Sequence, residues 1–157
     1  MTDVTPDQVV DVLVTLFRDN LTDPLVERRN RGGTWIYDDQ PRADASFPRI
    51  WIFYLPASFR PGGQSNNPPE FLCTCRFQVQ IISRVASKID VDGDGVGEKC
   101  DEQVNYLGNK CVLAVKNNQS VFDNLGLLHC IPVEWYKPRV VGQFMYQDID
   151  LEAEWEK

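Results

Sequence analysis

From Arg76 to Ile81 apolar Phe77, Val79 and Ile81 alternate with polar Arg76, Gln78 and Gln80. A period of two is the pattern of a strand with one buried face and one polar face. It lies within an apolar-rich run from Phe71 to Arg84, which the pattern predicts as one long strand. Such a strand has to be paired at its edges and covered on its apolar side. A first partner is written at Pro48–Pro56, where Arg49-Ile-Trp-Ile-Phe-Tyr54 is rich in β-branched and aromatic residues and bracketed by prolines. The intervening 58–69, dense in Pro, Gly and Asn, reads as a loop. The two segments therefore predict a long-looped antiparallel hairpin.

Around that hairpin the periodicity changes. Thr5 and Gln8 have capping-box spacing, Pro6 suits the first helical position, and Val9, Val10, Leu13, Leu16 and Phe17 recur at helical spacing, predicting a helix over 5–19. A second helix is predicted over 101–117, with Val104, Leu107, Cys111, Ala114 and Val115 on one face. Strands are expected at 126–135 and 143–155, the latter with Ile149, Leu151, Ala153 and Trp155 alternating against acidic residues. Thr34–Tyr37 is β-prone, as a strand or an arm. The order helix, hairpin, helix, hairpin predicts an α+β fold: two helices packed on one face of a mainly antiparallel sheet. At 157 residues the length suits a single domain, 1–157.

Between the second strand and second helix lies Asp90-Val-Asp-Gly-Asp-Gly-Val-Gly-Glu-Lys-Cys-Asp101. Calcium loops supply oxygen ligands from the first, third, fifth, seventh, ninth and twelfth positions and place Gly at the sixth for a sharp turn. Those positions are Asp90, Asp92, Asp94, the Val96 carbonyl, Glu98 and Asp101, with Gly95 at the turn. Alternating aspartates repel one another unless a cation neutralises them, so a structural calcium or similar hard divalent cation is expected. The loop resembles those of EF-hands, dockerins and thrombospondin type 3 repeats. The resemblance stops at the loop, because the preceding segment is a strand and there is no second loop. Asp101 has a shorter reach than the Glu usual at the twelfth position. A lone site between strand and helix suits a clip that pins the helix start.

The remaining residues narrow the function by exclusion. Net charge of -7 argues against a general nucleic-acid binder. No apolar run approaches the roughly 18 residues of a membrane span, and the acidic N-terminus is unlike a signal peptide, so a chain made in the cytoplasm is expected. The five cysteines, Cys73, Cys75, Cys100, Cys111 and Cys130, have no CxxC spacing and read as small buried hydrophobes in a reducing compartment. His129 is the only histidine. No GxSxG, HExxH or Walker motif is present, so no enzyme is expected. Arg28, Arg29 and Arg31 form the one basic concentration, read as solvated surface or as a dock for an acidic neighbouring subunit.

The order of elements resembles the tail terminator, or tail completion, proteins of long-tailed phages and related archaeal viruses. The resemblance rests on the first helix, the Pro-flanked strand Arg49–Tyr54, the long loop, the alternating strand Arg76–Ile82, a helix, a strand ending Val133-Glu-Trp135 and a last alternating strand. It spans most of the chain and makes the Asp loop an insertion. It implies a structural virion protein, assembled in the host cytoplasm, at the head-proximal end of the tail. Such proteins form a ring, usually a hexamer, that caps the tail tube and ends its polymerisation. Implied partners are other copies of the chain, the tail tube protein and the head connector or stopper, with DNA passing unread through the lumen. Two alternatives stand beside it: a small calcium-dependent secreted or surface binding module, which would need disulfides, and another neck or baseplate component of the same fold.

Overall fold

The computed structural model describes residues 3–43, 45–62 and 70–157. Eleven elements follow in order: α1 Pro6–Asn20, α2 Val26–Asn30, β1 Ile36–Tyr37, β2 Arg49–Tyr54, β3 Ser58–Pro61, β4 Phe71–Arg84, α3 Cys100–Asn117, α4 Gln119–Leu125, β5 His129–Trp135, β6 Arg139–Val141 and β7 Phe144–Glu156. Helices and strands thus mix, with four helices in place of the two expected. The strands form one seven-stranded sheet in the order β1-β2-β4-β7-β5, with β3 also on β4 and β6 also on β7. Every pairing is antiparallel except β1 with β2.

The alternation in β4 sets the layers. Cys73, Cys75, Phe77, Val79 and Ile81 are buried, and their register partners on β7 are Trp155, Ala153, Leu151, Ile149 and Gln147. Ile50 and Ile52 of β2 continue this face beside Ile81 and Val79. Val9, Leu13 and Phe17 of α1, Val104, Leu107 and Cys111 of α3, and Phe122 of α4 close over it in one core cluster. A full alternation of this kind removes each large side chain from water at about 1.5–3 kcal/mol apiece. The first helix starts as its capping box predicts: Thr5 Oγ1 accepts from the Gln8 N–H and Gln8 Oε1 accepts from the Thr5 N–H.

α3 approaches the sheet closely because Gly108 faces it. A Cβ built there would lie 3.1 Å from Ile149 and from the Trp135 ring, and 3.4 Å from Ile81. The glycine is a place where the sheet's side chains occupy the room a methyl would need.

Several expectations change. The stretch 58–69 does not read as loop throughout: Ser58–Pro61 is β3, paired with Thr74–Phe71, while 63–69 lies outside the described residues. Four residues with only one apolar member, Phe59, gave too short a period to recognise. Gln119–Leu125, which lies outside the expected elements, forms α4, a short helix with the single buried residue Phe122 and stopped by Gly126 at φ 103°.

The basic cluster is also corrected. Arg28 is neither solvated nor free to meet another subunit. It sits in α2 with its side chain 3% exposed, beside Asp23 at 6%. Its Nε donates to Asp23 Oδ2 at 2.7 Å and its Nη2 to Asp23 Oδ1 at 2.8 Å, a bidentate pair. It also donates to the carbonyls of Ser46 and Pro48, tying α2 to the start of β2. Arg29 and Arg31 stay exposed. Replacing Arg28 with Met keeps the stem but leaves Asp23 buried without its counter-charge. We expect Arg28→Met to lose about 3–5 kcal/mol of unfolding free energy in urea titrations; a loss below about 1 kcal/mol would refute the pair's role.

Candidate metal centre

The Asp loop hangs between the end of β4 and the start of α3. Its base is closed by an isolated antiparallel bridge in which Ile89 and Glu98 exchange both backbone hydrogen bonds, at 3.2 and 2.9 Å. Within it the carboxylates fold the backbone around themselves. Asp90 Oδ1 accepts from the Gly93 N–H at 2.8 Å and Oδ2 from the Gly95 N–H at 2.9 Å. Asp92 accepts from the Asp94 N–H and Asp94 from the Val96 N–H. Gly93 at φ 80° and Gly95 at φ 85° make the turns in a left-handed region that a Cβ disfavours by about 1–2 kcal/mol.

This wrapping brings Asp90, Asp92, Asp94 and Glu98 together, with one oxygen from each lying within 4.8 Å of the others. Four carboxylates at that spacing can hold a metal ion, and hard cations prefer such oxygens. The oxygen donors suit calcium, magnesium or manganese better than zinc or copper. Glu98 reaches the group because the Ile89 bridge sets it beside Asp90, and its Oε2 also accepts from the Val91 N–H at 2.8 Å. Asp101 is not in the group; it lies exposed on the first turn of α3. Val96 is exposed at the loop's outer side.

The electrostatics bear the mark of crowding. Backbone hydrogen bonds, that of Gly95 first, hold Asp90 below the usual carboxylate range. At Asp92 the Asp94 N–H acts to lower the pKa, but desolvation and the neighbouring Asp94 and Asp90 carboxyls outweigh it and push the group up to about 6. Asp90 and Asp92 border a cleft of about 330 Å³ that Arg29, Tyr106 and Lys110 also line, so two cations share the cleft with the loop.

Sequence reasoning missed the residue that seats this loop. Gln103 is fully buried on α3, and its Nε2 donates to the Glu98 carbonyl at 2.7 Å and the Ser87 carbonyl at 3.1 Å. Its Oε1 accepts from Ser83 on β4. One amide thus joins the end of β4, the end of the loop and the helix. The signal was present: Gln103 lies one turn before Leu107 on the buried stripe of α3, where a polar residue needs a partner.

Elsewhere the described residues offer little chemistry. All five cysteines are buried and unpaired. Burial pushes the Cys75 and Cys130 thiols up to about 12 and raises Cys111 as well. His129 lies on β5 with Nε2 3.6 Å from Glu152 Oε1. No helix among the described residues is long and apolar enough to cross a membrane.

No protein-family model matches the sequence, and no curated protein matches it. Among solved structures, the fold is similar to that of a chain from the virion of a native gene transfer agent particle. The TM-score is 0.53 at 13% identity, and the match covers 95% of this chain and 95% of that one. The likeness is one of fold.

Replacing Gln103 with Leu keeps the volume but leaves the Glu98 and Ser87 carbonyls and Ser83 without their partner. We expect Gln103→Leu to lower stability by about 1–3 kcal/mol. Equal urea midpoints for the two proteins would show that the amide is not what seats the loop.

Proposed function

We propose that this chain is a structural virion protein of the tail-terminator type. In this reading it forms a ring that caps the tail tube at the head–tail junction, ends tube polymerisation and joins the tail to the head connector. The observation that carries it is the fold match, end to end in both chains, with a protein of a native gene transfer agent virion. It agrees with the element order that first suggested the family, and an acidic chain of net charge -7 suits a conduit past which DNA slides. No catalytic role is assigned. The secreted binding module loses support because it would need disulfides and the five cysteines are unpaired. The test is imaging and native mass spectrometry of purified protein, alone and with tail tubes. Rings seated on tube ends are the expected result; a strict monomer that never binds tubes refutes the reading.

The loop is assigned to calcium in the same proposal, as a structural ion held by Asp90, Asp92, Asp94 and Glu98, with the Val96 carbonyl and Asp101 as the further ligands that the spacing suggests. Bound only by the folded state, the ion adds stability by mass action. Calcium at about a hundred times its dissociation constant is expected to add about 2.7 kcal/mol and raise Tm. Asp92→Ala abolishes that rise. Identical melting curves in calcium and in chelator would reject the ion.

A further inference from the structure

The face of the sheet turned away from the helices has two ends of different character. Arg49, Ile82, Tyr146 and Arg139 lie side by side across β2, β4, β7 and β6, and Arg84, Phe144 and Val141 form the next row. Phe47, just before β2, packs on Phe144 with ring centroids 4.8 Å apart. The Arg49 and Arg84 guanidiniums both lie over the Phe47 ring, at 4.4 and 5.3 Å. Phe47 and Ile82 are buried within this group. From Asp148 onward the same face turns acidic, through Asp150, Glu152, Glu154 and Glu156 of β7.

The other strand arginines have carboxylates. Arg60 pairs with Glu154, Arg76 with Asp150 and Glu134, and Arg139 with Asp148. Among the described residues, Arg49 and Arg84 have none. Arg49 is half-buried; its Nη1 donates to the Arg42 carbonyl at 3.0 Å, while its Nε is shut off from solvent without a partner. Burial pulls its pKa below the usual arginine range, against the opposing influence of Tyr37 and Tyr146. A cation taken out of water without a counter-charge is costly, and a carboxylate set against it recovers part of that cost. Arg28 shows the completed form in the same fold, a buried guanidinium closed by a bidentate Asp23. Arg84 is exposed, so its fork of donors is open to a ligand.

Such a fork fits carboxylate and phosphate alike. The net charge of -7 and the acidic row beyond Asp148 both repel a phosphate chain, whereas a carboxylate seated at the arginine end meets only the two unpaired cations. The surround is apolar: Val141, 55% exposed, stands beside half-buried Phe144 and Tyr146. Arginine and aromatic side chains grouped in this way are what anchor protein–protein contacts.

We propose that the Arg49–Phe47–Arg84 stack is a docking site for an acidic segment of a partner protein. Carboxylates of that segment take the two guanidiniums, and an apolar side chain next to them covers Val141. The site stands apart from both the ring reading and the cation loop. The test titrates the full chain into a fluorescently labelled peptide of glutamate and leucine and reads its anisotropy. The wild-type chain is expected to bind it, and not to bind the same peptide with glutamine in place of glutamate. Arg84→Gln, at an exposed position, is expected to weaken binding at least about tenfold, the loss of a hydrogen bond between charged groups. Arg49→Gln does the same, with circular dichroism to check its folding. Arg84→Lys keeps the charge without the fork and falls between. Arg31→Gln, which removes an exposed arginine at the end of α2, leaves the affinity unchanged. No binding of the glutamate peptide, equal affinity in Arg84→Gln and wild type, or an equal loss in Arg31→Gln overturns the site. Oligothymidylate that binds the stack more tightly than the peptide gives it to nucleic acid and overturns the protein partner. Self-association that Arg84→Gln abolishes in native mass spectrometry seats a second copy there and overturns a separate partner.

Discussion

The β4–β7 ladder runs unbroken from Leu72↔Glu156 to Arg84↔Phe144, and both strands alternate along it. A slip of one residue by β4 would turn Gln78 and Gln80 toward the helices and send Phe77 and Val79 to the other face, and a slip by β7 would do the same with Asp148 and Asp150 against Ile149 and Leu151. Each buried polar group left without a partner costs about 1–3 kcal/mol, on top of the lost apolar burial. In the observed register those polar groups satisfy one another. Gln78 donates to Asp150, Gln80 and Arg139 donate to Asp148, and the Tyr136 hydroxyl donates to the second oxygen of Asp150. The register is therefore fixed from both faces, and the core on one side and the carboxylate row on the other are consequences of the same pairing.

What the ladder positions next is α3. Ile81 of β4 and Ile149 of β7 are adjacent to the space above Gly108, so the helix can sit only where it has no side chain to oppose them. Its N-terminal end is held separately, by Gln103 reaching back to Ser83 and to the end of the loop. The Asp loop thus spans two points that are already fixed, the last residues of β4 and the first turn of α3. That is why its four carboxylates converge even though every residue from Asp92 to Gly97 is exposed.

The parts of this arrangement that were legible in the sequence are those with a long period. The strands at β2, β4 and β7, and the helices α1 and α3, are each long enough for burial to repeat several times. The aspartates of the loop could be read because ligand spacing is itself a period. What escaped lacks repetition: β3 and β6 are four and three residues long, and α4 has one buried residue. Arg28 and Gln103 escaped for a different reason. A buried polar side chain is defined by partners distant in sequence, Ser46 and Pro48 for one and Ser83 for the other, and adjacency to Arg29 and Arg31 made Arg28 look like surface.

The two carboxylate groupings near α2 and α3 settle their charge by opposite means. Asp23 is buried with a bidentate guanidinium, so its neutralisation is internal and permanent. Asp90, Asp92, Asp94 and Glu98 take part in no ion pair among the described residues, and crowding has pushed Asp92 up to about 6. A divalent cation bound there would relieve the remaining repulsion and tighten the junction that Gln103 already makes. It would therefore act on the loop and the first turn of α3, while the β4–β7 register stands on contacts that do not involve it.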